Sequence, residues 1–142
     1  METKNTEPFV VESTYRAPVG KVWQAITDNA KMRQWYFDIA EFKPEVGCEF
    51  EFYGENEGVK YRHLCIVTAV EKEKKLAYSW RYDGYPGNSL VTFTLFPEGD
   101  KTRIKLTHEG LETFPDLKDF KRENFAAGWN EIIGTMLKEY VE

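Results

Sequence analysis

Through its middle the chain alternates apolar and polar residues with the period of a strand, and near both ends the period lengthens to that of a helix. In "FVVESTYRA", Phe9, Val11, Ser13 and Tyr15 take one face of a strand and Glu12, Thr14 and Arg16 the other. Ala17-Pro18 ends it, and the fixed φ of Pro18 suits a first helical turn. Val19, Val22, Trp23 and Ile26 then recur at helical spacing. A second short helix, from about Asn29 to Trp35, carries Met32 and Trp35.

Six more strands are predicted after that. "DIAEFKP" leads through the turn "EVG" to "CEFEFYG", where Cys48, Phe50 and Phe52 oppose Glu49, Glu51 and Tyr53. "VKYRHLCIVTAV" gives Tyr61, His63 and Cys65 a common face, and "LAYSWRY" does the same for Leu76, Tyr78, Trp80 and Tyr82. "SLVTFTLF" groups Val91, Phe93 and Leu95, and "TRIKLTHEG" groups Ile104, Leu106 and His108. Short turns between alternating strands predict an antiparallel meander. From about Asp119, Phe125, Trp129, Ile132, Ile133, Met136 and Tyr140 form one helical stripe, with Asp116 or Asp119 as its cap. Strand, two short helices, six strands and a long helix make an α+β protein. A flexible tail is expected over residues 1–7 and a single domain over residues 8–142.

The C-terminal helix contains "FAAGWNEIIG", whose two glycines each cost roughly 1 kcal/mol against alanine in a helix interior. By the helical count Gly134 points outward, whereas Gly128 sits at the edge of the apolar stripe beside Trp129. Its missing side chain is expected to let helix and sheet approach closely. It also leaves room for a pocket that Trp129 helps to wall.

Composition narrows the possible partners. With 19 basic and 24 acidic residues the net charge is −5, and the densest basic cluster, Lys72, Lys74 and Lys75, is interleaved with Glu71 and Glu73. That excludes a phosphate-binding surface, and nucleic acid is not an expected partner. No apolar run approaches the length of a membrane span, and the polar start "METKNTEP" is unlike a signal peptide. Cys48 and Cys65 have neither metal-ligand nor disulfide-framework spacing, so a reducing, cytoplasmic setting is expected. Aromatic residues make up 15% of the chain, enough for a dense core or an aromatic-lined cavity.

Taken in order, "APVGKVWQAITD", "MRQWY", "FKPEVGCEFEF", "KKLAYSW", "VTFTLFPEGDKTRIKLTHEGL" and the late "GW" resemble one family from about Val10 to Val141. It is the SRPBCC (START-like, birch-pollen-allergen-like) superfamily, and within it the branch named for the C-terminal domain of the activator of the heat-shock protein 90 ATPase. The resemblance implies a helix-grip fold, a seven-stranded antiparallel sheet wrapped around a long C-terminal helix and an internal cavity. It places the Gly128-Trp129 pair on that helix, packed toward the sheet. The eukaryotic activator has a further N-terminal domain that contacts the chaperone, for which 142 residues leave no room.

His63 and His108 are the only histidines. Each is expected as a hydrogen-bonded structural group, with a polar handle or proton carrier in a pocket as the alternative. Far apart and without matching Cys or carboxylate spacing, they do not suggest a metal site, and no cofactor is called for. Cys65, mid-strand, is expected to pack as a small hydrophobe, and no elbow motif surrounds Ser79 or Ser89. Arg122 falls on the stripe of Phe125 and Trp129, where it closes over an anionic ligand head or, more commonly, runs to solvent. Trp35, Phe50, Phe52, Tyr78, Trp80, Phe93, Phe125, Trp129 and Ile133 are candidates for a pocket wall, against the alternative of a filled core. A module binding a small hydrophobic or aromatic molecule is the leading expectation. A chaperone-accessory role comes next, and a cyclase- or hydrolase-like enzyme third.

Overall fold

In the computed structural model, which describes residues 6–56, 58–115 and 117–142, strand β1 spans Phe9–Tyr15 and is followed by helices α1 (Val19–Thr27) and α2 (Asn29–Trp35). Strands β2 (Glu49–Asn56), β3 (Val59–Glu71), β4 (Lys75–Tyr82), β5 (Ser89–Glu98) and β6 (Lys101–Glu109) come next. Most of the tail expected over residues 1–7 lies outside the described residues. Pro18 stands at the N-cap of α1, its carbonyl accepting the Lys21 and Val22 N–H groups. Asp28 caps α2 by accepting the Lys31 N–H at 3.1 Å.

All strand pairings are antiparallel and the order is β1-β6-β5-β4-β3-β2, so a meander is closed at one edge by the first strand. The inward positions are those of the alternation: Phe50 and Phe52, His63 and Cys65, Leu76 to Tyr82 at every second residue, Val91 to Leu95, and Ile104 to His108. A register shift between Val67 and Ala69 bends the long strand β3. The sheet curves around the C-terminal helix, with β1 and the helix's middle in contact.

Among the described residues the sheet has six strands, not seven. The segment expected as a strand over "DIAEFKP" is irregular. The Ile39 backbone finds partners outside any ladder, its N–H bonded to the Phe37 carbonyl and its carbonyl taken by the Asn29 side chain at 2.8 Å. It still buries Ile39 and Phe42, which accounts for its apolar positions without a ladder.

The C-terminal helix begins at Arg122, not Asp119. A short 3₁₀ turn over Lys118–Phe120 precedes it, and Lys121 occupies the N-cap, where its side chain makes no capping hydrogen bond. Asp116, the other expected cap, lies outside the described residues. The helix runs as α3 (Arg122–Glu131), a π-turn (Ile132–Met136) and α4 (Leu137–Val141). The wider turn carries a Leu137 N–H to Ile132 carbonyl bond. It rotates the buried stripe, which reads Phe125, Trp129, Ile133, Leu137, Val141; Met136 and Tyr140 are displaced to its flank. Among the described residues no helix is long and apolar enough to cross a membrane.

Candidate functional site

A cleft of about 390 Å³ opens between the β2–β4 side of the sheet and α3. Its sheet wall comes from inward positions of three neighbouring strands, Gly54 of β2, Tyr61 and His63 of β3, and Trp80 and Tyr82 of β4, with the exposed Glu55 of β2 at its rim. The helix contributes Asn124, Phe125, Ala127, Gly128, Trp129 and Ile132. Asp119 and Phe120 close one end and Phe37 the other part of the wall.

His63 lies over β2, sandwiched where a side chain would block it. A Cβ on Gly54 would come within 2.8 Å of the His63 Cε1, so only glycine leaves space for the ring. The imidazole stacks on Phe52 at 4.5 Å and meets the edges of Trp80 at 4.8 Å and Tyr82 at 4.7 Å. Its Nδ1 lies 3.0 Å from the Tyr61 carbonyl, which can only accept, so Nδ1 carries the proton and Nε2 is the acceptor. Burial lowers its pKa to about 4, against a smaller opposing pull from the Tyr61 and Phe52 carbonyls. The ring is neutral near neutral pH.

Trp80 stands at the centre of the aromatic assembly, with Phe52, Trp129 and His108 at 5.4–5.6 Å between ring centres. Its indole N–H is the one buried side-chain polar atom, among the described residues, that lacks a hydrogen-bond partner. The Tyr82 hydroxyl is close enough to feel that donor, yet no bond of good geometry closes between them. Buried donors are rarely left so, because desolvating one without a partner costs about 1–3 kcal/mol.

Behind Trp80 a continuous chain of bonds ties helix to sheet. The Trp129 indole N–H donates to His108 Nδ1 at 2.9 Å, His108 Nε2 meets Ser89 Oγ at 2.8 Å, and Ser89 Oγ donates to the Trp80 carbonyl at 2.7 Å. At the far end of the cleft Tyr61 donates to the Asp119 carboxylate, a bond that raises the Tyr61 pKa to about 12. Phe120 packs among Tyr61, Tyr82 and Tyr85, so the turn before α3 is held down by both polar and aromatic contacts.

Of the candidates read from sequence, His63, Trp80, Phe125 and Trp129 line the cleft. Trp35, Phe50, Phe52, Tyr78, Phe93, His108 and Ile133 are buried in the core beneath it. Trp35 donates to the Ala25 carbonyl, and the Tyr78 hydroxyl pairs with that of Tyr36 at 2.9 Å. Arg122 turns away, donating to the Glu7 and Pro8 carbonyls at 2.6 and 3.1 Å and so pinning the start of β1 to the helix. Gly128 is not a point of close approach: a Cβ there would meet nothing within 4 Å, and the position faces the cleft. Tyr61 and Tyr82 share strand faces with His63 and Trp80, so alternation alone could have added them. Asp119 is marked in the sequence only as a candidate helix cap, and nothing local marks Phe120 or Phe37.

The sequence model of the family described as Activator of Hsp90 ATPase homolog 1-like protein matches residues 16–142. Solved structures share the architecture. Protein MLL2253 from Mesorhizobium loti is 29% identical, with 94% of this chain and 96% of that one covered and a TM-score of 0.72. CalU16 from Micromonospora echinospora is 26% identical over 95% of this chain and 76% of that one, at a TM-score of 0.73. Protein CV1439 from Chromobacterium violaceum, 23% identical over 95% and 96%, has a TM-score of 0.79 and speaks for the fold alone. No functionally curated protein matches the sequence.

Proposed function

The chain belongs to the Activator of Hsp90 ATPase homolog 1-like family, and on that premise we propose that its cleft receives a small planar aromatic or hydrophobic molecule. The observation that carries this reading is the open space facing Gly128. Gly134 is equally open but lies off the cleft, whereas Gly128 lines it, so a side chain at Gly128 would take up cleft space that glycine leaves free at a cost in helix stability. The flat walls of Trp80, Trp129, Phe125 and Phe37 suit a planar ligand, and a few polar groups among apolar ones orient it. Cys48 and Cys65 are free thiols, which supports placement in a reducing compartment such as the cytoplasm. The His63 imidazole is bonded to a backbone carbonyl rather than a carboxylate, which favours binding over acid–base hydrolysis.

A backbone and indole amide NMR titration against fatty acids, sterols and planar polyphenols tests this reading. Saturable shifts at the Trp80 and Trp129 indoles and at His63 are the expected result. Shifts confined to the outer sheet face, or none across the panel, would overturn it.

A chaperone-accessory role is the second reading, suggested by the family description and by Tyr53 and Ile66, which stand 61% and 42% exposed on the outer face of β2 and β3. It predicts binding to a heat-shock protein 90 chaperone that Tyr53→Ser weakens and a filled cleft leaves unchanged.

A further inference from the structure

The chemistry of the cleft selects among aromatic ligands. Its charged lining groups are Glu55 and Asp119, both acidic, at the rim. Arg122, the nearest cation on the helix, spends its guanidinium on the Glu7 and Pro8 carbonyls. Inside, the rings of His63 and Trp80 touch edge to face with centres 4.8 Å apart. One offers an acceptor, Nε2, because its Nδ1 proton is committed to the Tyr61 carbonyl. The other offers a donor, the unpartnered indole N–H of a side chain only 5% exposed.

We infer that the cleft is built for an uncharged planar aromatic carrying a phenol-type hydroxyl and that it turns aromatic carboxylates away. A hydroxyl answers both inner groups at once: its oxygen accepts from Trp80 and its proton goes to His63 Nε2. A small rotation of the Trp80 ring completes the first bond and relieves its orphaned donor. A carboxylate has no proton for His63 and must enter past two like charges. This inference rests on the binding reading above and names the ligand class for the same site.

Equilibrium dialysis of the wild-type protein against naphthalene, 2-naphthol and 2-naphthoate at neutral pH tests it. The expected order is 2-naphthol tighter than naphthalene by roughly three- to tenfold, the yield of one or two neutral hydrogen bonds. Naphthoate is expected to bind about tenfold more weakly than naphthol. Replacing His63→Phe should erase the naphthol advantage, read as the ratio of naphthol to naphthalene affinity within the same variant. The pair Glu55→Gln and Asp119→Asn should narrow the naphthoate gap, with Asn still able to accept from Tyr61. If all three probes fail to bind, the cavity-binding reading falls and takes this one with it. If naphthalene or naphthoate binds as tightly as naphthol, the cleft binds aromatics without this selectivity and only the present inference is lost. The wild-type ranking decides the matter even where His63→Phe does not fold.

Discussion

The indole N–H of Trp129 reaches Nδ1 of His108 across 2.9 Å, and this bond fixes the tautomer of a fully buried imidazole. An indole nitrogen can only donate, so Nδ1 accepts and Nε2 carries the proton. That proton goes to Ser89 Oγ, whose own proton goes to the Trp80 carbonyl. Every polar atom along the chain is satisfied in one orientation, so α3 is locked to β4, β5 and β6 in a single register.

Replacing His108→Phe keeps a planar ring at the site but leaves the Trp129 N–H without an acceptor. A stability loss of about 2–3 kcal/mol is expected in denaturant unfolding. Combined with Trp129→Phe, the double variant should lose less than the sum of the singles. Additive losses would mean the bond contributes nothing of its own.

Acid should destabilise the fold before its carboxylates titrate. Burial lowers His63 to about 4 and His108 to about 3, below an unfolded value near 6.5. Above pH 6.5 both histidines are neutral in both states and no difference arises. As the pH falls from 6.5, the unfolded chain takes up protons that the folded one refuses, so stability declines, by about 1.4 kcal/mol per unit for each histidine once the unfolded form is charged. The decline ends only below the folded values. Unfolding midpoints followed from pH 7 to 5 should show it, and His108→Phe should flatten the slope; a pH-independent midpoint in that range would contradict the burial of both rings.

Gly128→Ala and Gly134→Ala separate stability from binding. Neither added Cβ meets an atom within 4 Å, and both positions are helical, so each substitution should stabilise the fold by about 0.5–1 kcal/mol. Gly128 lines the cleft and Gly134 does not. Only Gly128→Ala, and more strongly Gly128→Val, should weaken ligand binding. Equal effects of the two alanines on affinity would remove the case for Gly128 as a guard of the cleft.

Tyr15 supports the π-turn. Its hydroxyl donates to the Ile133 carbonyl at 2.5 Å, and burial drives its pKa well upward. Tyr15→Phe should cost about 1–3 kcal/mol by leaving that carbonyl unpaired. Amide exchange at Leu137, which bonds across the wide turn, should accelerate more than exchange in β4. Uniform acceleration would indicate a global loss instead.

The faces of the six strands were legible because a period of two is a local property: each residue's side follows from its neighbours along the chain. The resemblance likewise rested on ordered motifs such as "FKPEVGCEFEF" and "GW", and it led to the right family. The strand expected over residues 38–44 was not legible as a loop, since burying Ile39 and Phe42 looks the same in sequence whether or not their backbone finds a ladder. Met136 and Tyr140 were read onto the core stripe for a related reason. One π-turn adds a fraction of a residue to the helical count, and the phase of everything after it shifts toward Leu137 and Val141.

The sequence by itself determined which side chains face inward on each strand and that a helix with a glycine beside a tryptophan must cover them. The tertiary structure alone decided which inward residues line space and which fill it. Phe52 and Trp80 alternate alike, yet only Trp80 borders the cleft, because strand curvature and the helix's path set the gap above each. It also decided that Arg122 serves Glu7 and Pro8, that Asp119 meets Tyr61, and that Gly128 looks onto open space. Such pairings join residues tens of positions apart, and hydrophobic periodicity, which reports only on near neighbours, carries no record of them.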